Sequence, residues 1–356
     1  MSKLYSRLQL VSLTTVSLIV LSMALAISLA AQQPSTPPPA GSTGDQPVAG
    51  TEDNPAAIFK SNVDVVQLFF NVKDKHGALI PNLTKDSFDI FEDGKPQTIK
   101  YFKAESDLPL TLGIMIDASG SQRNVLGIEQ EVGGSFLEET LRPSDMASVF
   151  SFDVDVTLVQ DFTGSISRLK KAMRDVKINS GTGACANLPG LGGGPIPCPS
   201  TGPRGTVLYD AVYVASHDAF AQEVGRKAMI LLTDGEDQGS RLKIKDAIEA
   251  ASKADTICYV LLIADRGLAM GFGGGDMKKL TAETGGRVIE VGNKFDKLKQ
   301  AFDQISQELR SQYNIGYTPT NNNRDGGFRK IEIKAKGGDY KIQARSGYYA
   351  MPRKEQ

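Results

Sequence analysis

Asp117-Ala118-Ser119-Gly120-Ser121 sets a carboxylate and two hydroxyls at alternate positions, directly after an apolar run. Where a strand turns into a helix, that spacing can aim three oxygens at one point. A second run ends in Thr233-Asp234-Gly235-Glu236-Asp237, and between the two lies Gly205-Thr206-Val207-Leu208-Tyr209-Asp210-Ala211, opening a helix after a glycine-rich loop. Asp117, Ser119, Ser121, Thr206 and Asp234 together make a hard, oxygen-only set. It suits Mg²⁺, with Mn²⁺ or Ca²⁺ as alternatives, and is poor for Zn²⁺. Mg²⁺ takes about six ligands and usually keeps some waters, so a set this sparse leaves a position for an incoming oxygen. Asp-x-Ser-x-Ser alone is a weak signal, because Asp and Ser favour caps and turns. Its order with Thr206 and Asp234 at other strand ends is what makes it specific. Asp210, at the start of a helix turn, and Asp237 read as partners standing behind the ligands. Glu236 faces water or joins them, and Asp145 reads as a turn residue.

Other chemistries lack their residues. The chain has 356 residues and two histidines, His76 and His217, neither in a setting that suits a general base. A serine hydrolase needs a nucleophile elbow and a histidine, and Ser119 lacks the preceding Gly-x. Gly190–Gly194 and Gly271–Gly275 lack the Gly-Lys-Ser/Thr ending of a phosphate loop. The reading is of a non-enzyme, with a Mg²⁺-dependent hydrolase using Asp117 as the alternative. Forty basic and 41 acidic residues nearly cancel, which leaves no basic stripe for nucleic acid. No soluble cofactor is implied.

The elements that must position these residues are legible as patterns. Leu110–Ile116 is an almost continuous apolar run, as expected of a strand covered on both faces, and 147–152, 229–232 and 257–263 are similar. Helical stretches fall at about 124–141, 165–176, 208–221, 243–253 and 295–309; the last sets Phe295, Leu298, Phe302, Ile305 and Leu309 on one stripe. Strand and helix alternating in this way predict a Rossmann-like, doubly wound, mostly parallel sheet, with its site outside the carboxyl ends of the strands. The flanks differ. Residues 63–72, 88–91 and 98–102, with turns at His76-Gly77 and Asp93-Gly94, read as short antiparallel strands. Residues 313–317, 330–336 and 340–345 return to that texture, around a turn at 321–327. Each piece is small for independent folding. The expectation is one all-β, sandwich-like module built from both flanks, which brings the ends of the central domain together.

The ordered motifs of residues 108–310 resemble the metal-ion-dependent adhesion site of von Willebrand factor type A (VWFA) domains. Asp117, Ser119 and Ser121 match its first loop, Thr206 its second and Asp234 its third, with no departure. The resemblance implies a Rossmann-like fold and a cation whose shell is completed by a carboxylate from a protein partner. The flanks look like bacterial exported VWFA-related proteins of acidobacterial type. The matching residues are Leu83, Phe88, Glu92 and Gly94 before the domain, and Tyr317-Thr318-Pro319 and Gly347-Tyr348-Tyr349 after it.

Lys3 and Arg7 precede an apolar run to Ala31 that ends in a small-x-small pattern, so residues 1–31 read as an export signal, cleaved or kept as an anchor. Residues 32–57, rich in Pro, Ser, Thr and Gly, read as a flexible linker that could tether the folded part to a membrane. The expected domains are then a β segment at 58–107, the VWFA domain at 108–310 and a β segment at 311–350, all outside the cytoplasm: periplasmic, in the envelope or secreted. In that setting Cys185 and Cys198 are candidates for a disulfide, worth roughly 3 kcal/mol on the chain-entropy estimate. Their glycine- and proline-rich loop leads into Thr206 and could shape which partner fits. Cys258 reads as a buried thiol. The function expected is a cation-dependent protein-binding module for adhesion or assembly. The alternative is a structural envelope protein in which the metal only braces the fold.

Overall fold

The computed structural model of the chain describes residues 65–104, 108–178, 205–263 and 274–352. The export signal, the linker, the Cys185–Cys198 pair and the tract Gly190–Gly194 lie outside the described residues. Among the described residues no helix is long and apolar enough to cross a membrane.

The central sheet has six strands: β5 (Leu110–Asp117), β6 (Met146–Phe152), β7 (Val156–Thr163), β8 (Arg226–Thr233), β9 (Thr256–Leu262) and β10 (Val288–Glu290), in the order β10-β9-β8-β5-β6-β7. All neighbours run parallel except β7, which pairs antiparallel with β6 at the edge. Every residue of β5 and β8 is buried, which explains their unbroken apolar runs. On one face lie α1 (Leu126–Thr140), α2 (Ile166–Asp175) and α6 (Phe295–Arg310). Their Phe136, Leu169 and Phe302 pack with Leu112, Ile114 and Ile230. On the other lie α3 (Leu208–Val214), α4 (Ile244–Lys253) and α5 (Gly274–Thr284). Leu208, Ala247 and Met277 pack there with Met115, Leu231 and Val260. The sheet is therefore doubly wound and mostly parallel, the Rossmann-like layout that the pattern of runs predicts.

Two differences stand out. The helix expected to 221 leaves the α form after Val214 and continues as a π turn at Ala215–Ala219 and a 3₁₀ turn at Phe220–Gln222. The glycines at 274 and 275 open α5, a helix absent from the stretches that the sequence pattern marks.

The flanks form two further sheets. One has the order β13-β1-β11-β4: β13 (Lys341–Gln343), β1 (Val66–Lys73), β11 (Tyr313–Tyr317) and β4 (Ile99–Lys103). The other has the order β14-β12-β2-β3: β14 (Gly347–Tyr349), β12 (Phe328–Ala335), β2 (Phe88–Glu92) and β3 (Lys95–Gln97). Each sheet mixes strands from before and after the central domain. Alternation along β1 puts Leu68, Phe70 and Val72 into a shared core with Phe88, Ile90, Tyr313 and Ile315. The hairpin from β2 to β3 turns on Asp93 and Gly94, both at positive φ (48° and 77°), which the Asp-Gly pair tolerates.

Two sets of hydrogen bonds fasten the junction between the central domain and the flanking module. The guanidinium of Arg226 donates to the carbonyl of Leu108 at 3.0 and 2.7 Å and to that of Leu309 at 2.6 Å, tying the two ends of the central domain to one side chain. Glu308 on α6 accepts from Lys73 (2.8 Å), Arg287 (2.7 Å) and Gln343 (3.1 Å). Asn71 also donates to its carbonyl, at 2.8 Å.

Candidate metal centre

β5 and β8 are neighbours, yet the chain leaves β5 toward β6 on one side and continues from β8 toward β9 on the other. This is the switch point of a doubly wound sheet, where a crevice opens beyond the carboxyl ends of the strands. Asp117 is the last residue of β5, and Asp234 follows the last residue of β8.

Asp117 is fully buried. Its Oδ1 accepts from the backbone N–H of Ser119 at 3.0 Å, and its Oδ2 from the Thr233 hydroxyl at 2.8 Å. Thr233 in turn accepts from the N–H of Gly235 at 3.0 Å, so one hydroxyl links the first and third loops. Burial pushes the Asp117 carboxyl up to about 6; hydrogen bonds from Ser119 and Thr233 oppose this, and the charge of Asp234 adds to it. A buried carboxylate whose charge is opposed by a second carboxylate nearby favours a cation between the two. The hydroxyls of Ser119 and Ser121 lie 2.9 Å apart in the loop that becomes the 3₁₀ turn at Gly120–Asn124, so the alternate spacing does converge.

Asp234 is half-buried and accepts from the N–H of Glu236 at 3.1 Å. Gly235 takes φ 84°, a left-handed conformation that lets the chain leave the strand directly after the carboxylate. Thr206 is 7% exposed and sits against the third loop, where its carbonyl accepts from the N–H of Gln238 at 3.0 Å. The next residue, Val207, donates to the carbonyl of Asp153 at 2.7 Å, which fixes the second loop over the end of β6. The backbone of Thr206 thus holds the second loop against the loop that carries Asp234.

Asp210 and Asp237 stitch loops together. Asp210 accepts from the N–H groups of Arg241 (3.1 and 3.0 Å) and Leu242 (2.9 Å). Asp237 accepts from the N–H of Tyr209 at 3.2 Å and the hydroxyl of Ser240 at 2.5 Å. Asp145 does more than turn the chain. Its buried carboxylate accepts from the N–H groups of Leu110 (2.9 Å) and Arg142 (3.0 Å) and pairs with Arg310 at 2.8 Å.

Among the described residues, no three His, Cys, Asp or Glu side chains gather as a metal-binding group. A cation here would rely on Asp117 and Asp234 together with the hydroxyls of Ser119, Ser121 and Thr206, a donor set of hard oxygens. The residues present fit such an ion. Thr233, whose hydroxyl bonds to Asp117, went unassigned at the level of sequence, as did Glu129 on α1. Glu129 is fully buried and its carboxyl is pushed up to about 8, first by burial and then by the charges of Asp117 and Asp234.

No family model and no curated protein matches the chain. Among solved structures, it is similar to a von Willebrand factor type A protein from Catenulispora acidiphila (13% identity, TM-score 0.45), over 82% of this chain and 75% of that one. It is similar to the conserved hypothetical protein BatB from Bacteroides thetaiotaomicron (17%, TM-score 0.42), over 57% of this chain and 100% of that one. It is also similar to proximal thread matrix protein 1 of the mussel byssus, a structure with a zinc-occupied MIDAS motif (16%, TM-score 0.44), over 60% of this chain and 48% of that one. At these TM-scores the chemistry of this chain rests on its own geometry.

Proposed function

We propose that the chain is an extracytoplasmic, divalent-cation-dependent protein-binding module. The observation that carries this reading is the convergence, at the switch point, of buried Asp117, the paired hydroxyls of Ser119 and Ser121, and Asp234. Such a set holds Mg²⁺, or Mn²⁺ or Ca²⁺, through fewer protein oxygens than the ion's shell requires. The remaining position takes an acidic residue of a protein partner, which gives cation-dependent adhesion or assembly without a chemical step. Ser119 is intermediate in exposure and Ser121 is exposed, which supports access from outside. The apolar run at residues 8–31 and the linker after it support export, with the folded part in the periplasm, the envelope or the medium.

Calorimetric titration of the chelator-stripped protein with Mg²⁺ and Mn²⁺, beside Asp117→Ala, tests the reading. Saturable binding by the wild type, lost in the variant, is the expected result. Should the folded wild type bind neither ion, even with acetate present as a carboxylate mimic, the cation-site reading is wrong.

A further inference from the structure

Glu129 occupies a position that packing alone would give to an apolar side chain. It lies on the buried stripe of α1 with Leu126, Val132, Phe136 and Leu137, and is itself 0% exposed. Neither of its carboxylate oxygens has a hydrogen-bond partner. Val125, Ile128, Ile263, Val291 and Leu298 line the small cleft beside it, with exposed Lys294 at the start of α6. A buried carboxyl without partners is costly, and native proteins keep such a group where a function requires it.

The surroundings indicate which function. Glu129 lies in the first turn of α1, whose backbone is bonded through Val125 to Gln122 in the 3₁₀ turn of the first loop. The charges of Asp117 and Asp234 add to the burial that raises its carboxyl. A second orphan lies in the same region: Gln122, one residue past Ser121, is 1% exposed and buries an Oε1 without a donor. Three buried acceptor oxygens without donors therefore belong to the turn and helix that follow the first loop. A divalent ion, with the polarised water it carries, supplies what all three lack.

We propose that Glu129 is a positioning residue of the cation site, a third negative charge that raises affinity for a divalent ion without being one of its five protein ligands. The proposal rests on the reading of Asp117 and Asp234 as a cation site. In the ion-free protein, the charges of Asp117 and Asp234 oppose ionisation of the buried Glu129 carboxyl. The bound ion reverses the sign of that interaction. Replacing Glu129 by an uncharged residue should thus act in opposite directions on the ion-free and loaded forms, whereas a merely structural residue would shift both the same way.

The experiment is calorimetric titration with Mg²⁺ and Mn²⁺ of wild type, Glu129→Gln, Glu129→Leu and Asp117→Ala, with thermal melts of each in chelator and in saturating ion. Both Glu129 variants should bind about 10–100-fold more weakly than wild type, the usual scale for groups standing behind metal ligands. Ion-free Glu129→Leu should melt above ion-free wild type and gain less from added ion. Glu129→Gln keeps the shape and carries the test alone if the leucine variant does not fold. Wild-type affinity in Glu129→Gln, with binding still lost in Asp117→Ala, overturns the proposal and leaves the cation site standing. Absence of binding in the wild type, with or without acetate, overturns the cation site itself.

Discussion

In the ion-free protein, raising the pH from 5 to 8 should lower stability. Below about pH 4.5 Glu129 keeps its proton in both the folded and the unfolded chain. As the pH rises through that value the unfolded chain releases the proton, while the folded chain, with this carboxyl pushed up to about 8, holds it. The folded state then binds more protons than the unfolded one, so the free energy of unfolding falls with pH until about 8. The interval from 4.5 to about 8, at about 1.4 kcal/mol per pH unit, comes to roughly 5 kcal/mol. Asp117, pushed up to about 6 from 3.8, acts with the same sign in a lower window. Its charge is also one cause of the Glu129 shift, so the two effects overlap rather than add. In a domain of this size, roughly 5 kcal/mol corresponds to a melting temperature lower by about 10–20 °C. Scanning calorimetry in EDTA at pH 5, 6.5 and 8 reads this directly, and saturating Mg²⁺ should flatten the slope by favouring the ionised carboxyls. A melting temperature that stays level or rises over that range in EDTA would refute the account of Glu129 as a buried, uncompensated acid.

Two further outcomes follow from other buried groups. Glu308→Ala should cost about 3–5 kcal/mol in denaturant unfolding, since it strands Lys73 and Arg287 at a largely buried junction. Burial pushes the Glu308 carboxyl up, but the charge of Arg287 and the hydrogen bond from Lys73 outweigh this and hold it below its usual range. Its contribution is therefore present above pH 4.5 and lost as the pH falls through the depressed value, which an acid titration of wild type against the variant would show. Cys258 is fully buried, with its thiol pushed up to about 12. Its peptide should remain unlabelled by iodoacetamide at pH 8 in the native protein and become labelled in guanidinium, as read by mass spectrometry.

Much of the layout is visible in the chain because burial on both faces leaves a strong mark. β5 and β8 are buried along their whole length and carry apolar runs at 112–116 and 228–232, and the chemistry at their ends stands out against those runs. β7 leaves a weaker mark: its residues are half-buried or exposed, and as an edge strand it carries no periodic apolar set. α5 opens on Gly274 and Gly275, poor helix formers, and is held by tertiary packing of Met277 and Leu280 rather than by propensity. At the site, oxygen chemistry and loop order single out Asp117, Ser119, Ser121, Thr206 and Asp234 as candidates. Thr233 escapes because a threonine ending a strand is ordinary, and only the fold brings its hydroxyl to Asp117. Glu129 did have a signal, an acid on the buried stripe of an amphipathic helix. That stripe is recognised only once the helix is placed against the sheet.

The interleaving of the flanks sets an order of events during synthesis. β1 lies between β11 and β13, so the earliest strands to emerge have their neighbours among the last. Until those arrive, β1–β4 expose open edges, the usual starting point for association between chains. Joining them across roughly 200 unstructured residues instead of about ten would cost roughly 2–3 kcal/mol more in closure entropy. If the central domain folds first, it removes most of that penalty, because Arg226 fastens Leu108 beside Leu309 and leaves only a short gap to close. The nascent β1–β4 segment is thus a natural client for a holding chaperone until the final strands follow.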